Sequence, residues 1–238
     1  MLTADRMAAV DANAAALGVP RKQLMESSGN AVAQVVRDHV DPDGRVVLVC
    51  GRGNNGGDAF VAARFLAGYA TETVLLGEPE QIGTEIAREN WAALQDAELP
   101  TTVASDTTDI DELGLDSADC VVDAMLGTGV TGALREPEAS TARAINAADT
   151  QVISVDVPSG VDADTGTAAG VAVDADHVVT FHDTKPGLAN STPKSPSRIS
   201  ASRRPPSGSS ARVTSSRAAC SRATETRRVT RATTASCW

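Results

Sequence analysis

The unbroken apolar run Val46 to Cys50 stops on Gly51, and no other stretch of this 238-residue chain restricts the possible fold so strongly. The run is long enough for one buried strand, and a helix-like pattern resumes after Asp58 with Phe60, Val61, Ala62, Ala63, Phe65 and Leu66. A buried strand that breaks on glycine and restarts as a helix leaves free backbone N–H groups at the helix's N-terminus. That end carries about half a positive charge, so phosphate binds there readily. Gly51, Gly53 and Gly56 fit the dinucleotide spacing G-x-G-x-x-G, which is a weak signal alone. The segment Asn54-Asn55-Gly56-Gly57-Asp58 is more restrictive. It puts two amides and a carboxylate where an ordinary dinucleotide-binding loop has small residues.

The rest of the chain alternates in the same way. Helical spacing is expected over Thr3–Leu17, Arg21–Val40, Glu85–Leu94 and 137–148. Strands are expected at Thr73–Leu76, Cys120–Asp123, Val152–Val155 and His177–Phe181, while residues 96–118 read as polar and turn-rich. Nearly continuous apolar strands between helices imply a parallel sheet covered on both faces. The expected fold class is therefore α/β, a three-layer α/β/α Rossmann-like domain with a mostly parallel sheet.

The formal charge of −10 averages two unlike pieces. Residues 1–188 hold 11 basic and 30 acidic residues, whereas residues 189–238 hold nine Arg and one Lys against Glu225 alone. The acidic piece would repel phosphate backbones, which argues against nucleic acid as a partner. In the second piece Ile199, Val213 and Val229 are the only aliphatic residues larger than Ala. Such a segment cannot bury enough apolar surface to offset its ordering entropy, so residues 189–238 are expected to be a disordered Arg/Ser/Thr-rich tail. The abrupt change reads as translation out of frame. Residues 1–188 form the expected domain. No apolar run near the N-terminus has signal-peptide or membrane length, so the chain reads as cytoplasmic, with no membrane partner. None of Cys50, Cys120, Cys220 and Cys237 has C-x-x-C spacing, and His39, His177 and His182 show no metal spacing.

In an open parallel sheet, ligands bind beyond the carboxyl ends of the strands. Three such ends carry unusual chemistry here. The first is Gly51–Asp58. The second is Asp123 followed by Gly127-Thr128-Gly129-Val130-Thr131-Gly132-Ala133, and the third is Asp156-Val157-Pro158-Ser159-Gly160-Val161-Asp162. A lone strand-final Asp commonly caps the next helix. Two of them beside an Asn-Asn-Gly-Gly-Asp run point to a shared pocket instead.

These residues, with Arg135-Glu136-Pro137, Leu24-Met25-Glu26 and Lys185-Pro186-Gly187, resemble the NAD(P)H-hydrate epimerases of the YjeF N-terminal domain family. The resemblance covers about residues 2–188. It implies an isomerase that interconverts the R and S forms of hydrated NADH and NADPH, damaged cofactors bearing a hydroxyl at C6 of the nicotinamide ring. It further implies that Asn54, Asn55, Gly56, Gly57 and Asp58 contact this dinucleotide, as do Gly127, Thr128, Gly129, Val130, Thr131, Gly132, Ala133 and Asp156. Asp156 would be the catalytic acid/base. One potassium ion per subunit would be held by Asn55, Asp123 and Ser159, a set of hard oxygen donors with a single carboxylate. The resemblance leaves room for a homodimer and for functional coupling to a separate NAD(P)HX dehydratase.

The chain departs from the family in two places. Glu138 stands where many relatives resemble Glu-Pro-Tyr, and the strand expected after Lys185-Pro186-Gly187 is replaced by the tail, which would leave one sheet edge open. Lys185 itself reads as a solvated loop lysine, and Trp91 and Phe65 as core residues. Three rival readings are a dehydrogenase using Glu78 as ribose acceptor, a non-catalytic binding module, and an inactive product of the aberrant tail. Glu78 lies too far past Gly51 for the first, and it leaves Asn54, Asn55 and the Asp156 loop unused.

The acidic piece would suit a protein that stays soluble in a high-salt cytoplasm. Its thermal midpoint should rise with added KCl as the carboxylate repulsion is screened; a flat or falling midpoint would contradict that expectation.

Overall fold

The computed structural model describes residues 18–129, 131–181 and 185–190 and the strand Arg228–Arg231, with no side chains described at 189–190 or 228–231. The expected Thr3–Leu17 helix lies outside these residues. Helix α1 (Arg21–His39) leads through a turn at residues 41–44 into β1 (Arg45–Cys50), where the apolar run predicts a strand. Then come α2 (Asn54–Phe65), β2 (Ala70–Leu76), α3 (Glu85–Asp96), β3 (Thr101–Ala104), α4 (Thr107–Glu112), β4 (Cys120–Ala124), α5 (Glu138–Ala147), β5 (Gln151–Val155), β6 (His177–Thr180), α6 (Pro186–Asn190) and β7 (Arg228–Arg231). The strands form one sheet in the order β3-β2-β1-β4-β5-β6-β7, and every pairing is parallel. That is the doubly wound order, whose direction reverses between β1 and β4.

Strand β1 separates two cores. Val46, Leu48 and Cys50 pack on one side with residues of α1, α2 and α3, whereas Val47 and Val49 pack on the other with Ile110 of α4 and Ala142 and Ile145 of α5. Alternate side chains of a strand point to opposite faces, so a continuous apolar run means that both faces are covered. The expected three-layer architecture is what these two cores make.

The first layer depends on close backbone approach. A Cβ on Gly29 of α1 would lie 2.4 Å from Val61 Cβ and 2.6 Å from the Asp58 carbonyl of α2. On the far side of α2, Phe60 meets Trp91 of α3 with ring centroids 5.2 Å apart. Trp91 is core, as expected, but Phe65 is 40% exposed at the end of α2, and its carbonyl accepts from the Arg37 guanidinium.

Other differences from the sequence reading have physical causes. Helix α2 begins at Asn54 rather than after Asp58, because Gly53 supplies an extended N-cap and Gly56 and Gly57 fit inside the first turns. Residues 96–118 contain β3 and α4 rather than turns alone. β3 is a short edge strand paired only with β2, and only its Ala104 is buried, so it lacks an apolar signature. α4 starts on side-chain hydrogen bonds: Asp106 accepts from Thr108 and Asp109 N–H, while Asp109 accepts from Asp106 N–H. That reciprocal capping box replaces the missing apolar period. Finally, Arg228–Arg231 pairs with β6 from His177↔Arg228 to Thr180↔Arg231. These four residues fall within the stretch expected to be a disordered tail, and they pair with the row of backbone donors and acceptors that β6 presents. The edge expected to be vacant is covered there.

Replacing Gly29 with Ala should destabilise the domain by about 1–3 kcal/mol through overpacking of α1 on α2. A lowered urea midpoint with unchanged denaturant dependence is the expected result.

Candidate active site

The carboxyl ends of β1, β4 and β5 lie side by side, since Cys50 pairs with Ala124 and Asp123 pairs with Ser154. The three unusual strand ends therefore converge at the point where the sheet reverses direction, as the sequence predicts.

Asp123 is fully buried near the end of β4. Its Oδ1 accepts from Ser159 Oγ at 2.6 Å and Met125 N–H at 3.3 Å, and its Oδ2 accepts from Ser154 Oγ at 2.8 Å and Ser159 N–H at 2.9 Å. Burial pushes the carboxyl up from the ordinary aspartate range, and the bonds from Ser159, Ser154 and Met125 oppose that rise. Each oxygen faces a main-chain N–H, a pattern that suits an acceptor-only carboxylate. No Lys or Arg among the described residues pairs with it. The same burial, with the Asp123 charge adding to it, raises the thiol of neighbouring Cys50, which together with buried Cys120 acts as a small apolar residue.

Leu126 connects this carboxylate to the first strand end. Ser159 Oγ accepts from Leu126 N–H at 3.0 Å, and Asn55 Nδ2 donates to the Leu126 carbonyl at 3.0 Å. A Cβ on Gly127 would lie 3.5 Å from Asn55 Oδ1. Asn55, Asp123 and Ser159 thus meet through one residue. An amide, a hydroxyl, a carboxylate and a main-chain carbonyl supply only hard oxygen donors, and a single carboxylate fits a monovalent cation better than a divalent one. Among the described residues no cluster of His, Cys, Asp and Glu is arranged to hold a metal ion, which agrees with the absence of soft or imidazole ligands here.

Asp156 follows β5 with φ of 66°, a left-handed conformation that is uncommon for a residue with a side chain. Its N–H donates to the Val179 carbonyl at 2.7 Å, and its Oδ1 accepts from Thr180 Oγ1 at 3.4 Å. Oδ1 also lies 2.7 Å from Lys185 Nζ. Lys185 is 1% exposed, so the expectation of a solvated loop lysine is wrong. Sequence spacing could not reveal this, because the pairing depends on where the chain folds back after β6.

The glycines divide by role. A Cβ on Gly51 would stand 1.8 Å from the Met125 carbonyl, and one on Gly56 would stand 2.0 Å from the Gly51 carbonyl. Gly57 is likewise closed off by Met25 and Ala87. Gly56 and Gly57 are thus buried packing positions. Asn54 and Gly53 are exposed, and Gly53 has open space above it. Asn54 Oδ1 accepts from Thr84 Oγ1 at 2.8 Å, and Asp58 is half-buried within α2. In the second loop Gly127 and Thr128 are half-buried, Gly129, Thr131, Gly132 and Ala133 are exposed, and Val130 lies outside the described residues. Asp162 closes a turn, accepting from Thr165 and Asp164 N–H groups, which hold its carboxyl below the usual range.

Two clefts flank Leu126. The smaller is walled by Gly127, Gly132, Leu134, Val157–Pro158, Gly160–Asp162 and Thr167–Ala169. The larger, of about 500 Å³, lies between Arg52 and residues 131–136 with Glu138. Its size is that of an ordinary small-molecule site. Neither cleft counts Asn54–Asp58 or Asp156 among its walls. Glu138, the residue that departs from the family pattern, is buried at the start of α5 and pairs with Arg52 at 3.3 Å, while Arg52 also donates to Gln81 at 2.6 Å.

The family model described as "YjeF-related protein N-terminus" matches residues 21–187. The chain belongs to that family. It is 48% identical over 191 residues to a bifunctional NAD(P)H-hydrate repair enzyme from Methanothermobacter thermautotrophicus, covering 79% of this chain and 37% of that protein. The chain therefore spans little more than a third of that relative. It is 39% identical over 189 residues to an NAD(P)H-hydrate epimerase from Cenarchaeum symbiosum, covering 79% of this chain and 87% of the relative. The crystal structure of yeast ynu0 matches with a TM-score of 0.69 and 25% identity, covering 81% of this chain and 84% of the yeast chain.

Asp123→Asn should cost about 1–3 kcal/mol, because an amide N–H would face a buried main-chain donor. A lowered thermal midpoint at neutral pH, with native circular dichroism below it, is the expected result.

Proposed function

We propose that this chain epimerises the R and S forms of hydrated NADH and NADPH at C6 of the nicotinamide ring, as a step in nicotinamide cofactor repair. The observation that carries the reading is the junction of Asn55, Asp123 and Ser159 through Leu126, beside Asp156 on the next strand end. Relatives named NAD(P)H-hydrate epimerase support it, two of them each matched over 87% of their length.

Asp156 is the catalytic group. Epimerising C6 means breaking and remaking a bond at that carbon, and a proton must leave and return to the C6 oxygen. Asp156 Oδ1 takes both Thr180 and Lys185, and no described hydrogen bond reaches its Oδ2. Gly53, Asn54 and Asn55 offer the N-terminal N–H groups of α2 to the pyrophosphate, with the loop after β4 as a second contact for the dinucleotide.

Asn55, Asp123 and Ser159, with the Leu126 carbonyl, would hold one potassium ion per subunit. Bound there, the ion supplies the positive charge that buried Asp123 otherwise lacks and ties the first and third strand ends together. The dinucleotide is the substrate rather than a cofactor. Functional coupling to an NAD(P)HX dehydratase belongs to the same proposal, in keeping with relatives named bifunctional NAD(P)H-hydrate repair enzymes. No helix among the described residues is long and apolar enough to cross a membrane.

Purified protein mixed with a scrambled pool of R and S hydrates and a stereospecific dehydratase should draw down the slow epimer faster than its spontaneous rate. Activity should fall when potassium is replaced by tetramethylammonium. Asp156→Asn should lower kcat by about 10²–10⁴-fold, measured where its circular dichroism is native, since the variant also leaves buried Lys185 without its partner. Near-wild-type turnover in that variant would remove Asp156 from the role.

A further inference from the structure

A buried ammonium lies against the Asp156 carboxylate. Lys185 Nζ contacts Asp156 Oδ1 at 2.7 Å and donates to the Phe181 carbonyl at 3.1 Å, and the side chain is 1% exposed. The Asp156 side chain is 11% exposed, so of the two only the carboxylate reaches the surface. Thr180 Oγ1 donates to the same Oδ1 at 3.4 Å, and no described hydrogen bond reaches Oδ2. The backbone that aims this carboxylate is held in its left-handed conformation by the bond from Asp156 N–H to Val179. Residues kept in such conformations cluster at functional sites.

We propose that Lys185 is a positioning residue that keeps Asp156 ionised with Oδ2 turned toward substrate, so that Asp156 starts the epimerisation as a base and the bond that breaks is C6–N1. The inference rests on the epimerase reading above. An enclosed ammonium does not touch substrate itself; it holds Oδ1 of an ion-paired carboxylate and leaves Oδ2 as an oxygen that can only accept. Asp156 therefore meets the substrate as an acceptor of protons.

C6 of the hydrated ring carries a hydroxyl and a bond to N1, so its configuration can be lost in two ways. Breaking C6–O needs an acid to release the hydroxyl as water. Breaking C6–N1 needs a base on the hydroxyl, which is what an ionised Asp156 supplies. Asp156 takes the hydroxyl proton, and the O–H electron pair becomes the second C–O bond of an aldehyde. The C6–N1 pair moves to N1 and spreads over the conjugated C2=C3 and carboxamide. Rotation about C5–C6 presents the other aldehyde face to N1. The N1 pair re-forms the C6–N1 bond, the carbonyl pair returns to oxygen, and that oxygen recovers its proton from Asp156. Nothing is oxidised or reduced, and no water enters or leaves.

The test follows one purified epimer in ¹⁸O-enriched water, with a protein-free control. The epimers should equilibrate while the dinucleotide gains no more ¹⁸O than the control. Gain of one ¹⁸O per inversion would overturn ring opening. Lys185→Met should lower kcat by about 10²-fold or more, the scale of a lost proton-transfer group, while KM changes little. A kcat left unchanged, or a loss confined to KM, would contradict the positioning role. If that variant fails to fold, the isotope result on the wild-type protein still decides the matter. Failure of the wild-type protein to interconvert the epimers at all would instead count against the epimerase reading.

Discussion

The buried Asp123 carboxylate is the constraint on which the site's geometry depends. Its four hydrogen bonds come from the two loops that follow β4 and β5, through Met125 and Ser159, and from Ser154 on β5 itself. An unsatisfied buried carboxylate would cost several kcal/mol, so Asp123 ties these loops to one another and to β5. Ser159 passes the constraint to Leu126, and Leu126 passes it to Asn55 at the start of α2. A glycine at 51 lets the Met125 backbone cross the end of β1 at a distance no side chain would permit. Three separate loops are in this way reduced to one rigid corner of the sheet.

Rigidity at that corner bears on chemistry. A catalytic carboxylate is useful only if its free oxygen is held in place relative to the bound ring. Asp156 is fixed from three sides, by its own backbone bond to Val179, by Thr180 and by Lys185. The neighbouring cation site, if filled by potassium, would balance Asp123 while Lys185 balances Asp156. Under the proposed function, two buried carboxylates on adjacent strand ends would keep separate counter-charges and separate tasks, one holding the loops and the other moving a proton. The pair formed by Arg52 and Glu138 walls the larger cleft together with Leu126.

Much of this was legible in the sequence because it was written in local patterns. The run Val46–Cys50 specifies a strand buried on both faces, and the strand-final Asp123 and Asp156 mark the right end of the sheet. Asn55, Asp123 and Ser159 are brought together as the motifs suggest. What was not legible depends on long-range folding or on signals other than apolar periodicity. β3 is an edge strand with one buried residue, and α4 is started by Asp106 and Asp109 rather than by hydrophobic spacing. Gly56 and Gly57 look like phosphate-loop residues but are required by packing against Gly51, Met25 and Ala87. Lys185 is 29 positions from Asp156 in sequence and becomes its partner only because β6 lies beside β5.

We propose that these converging strand ends invert C6 of the hydrated nicotinamide ring. Proton NMR of a single purified epimer reports it most directly, through the separate C6 signals of the R and S forms. With the protein and potassium present, the second signal should grow in faster than in buffer alone, until the two forms reach equilibrium. Growth at the spontaneous rate, with folded protein in the tube, would contradict the claim.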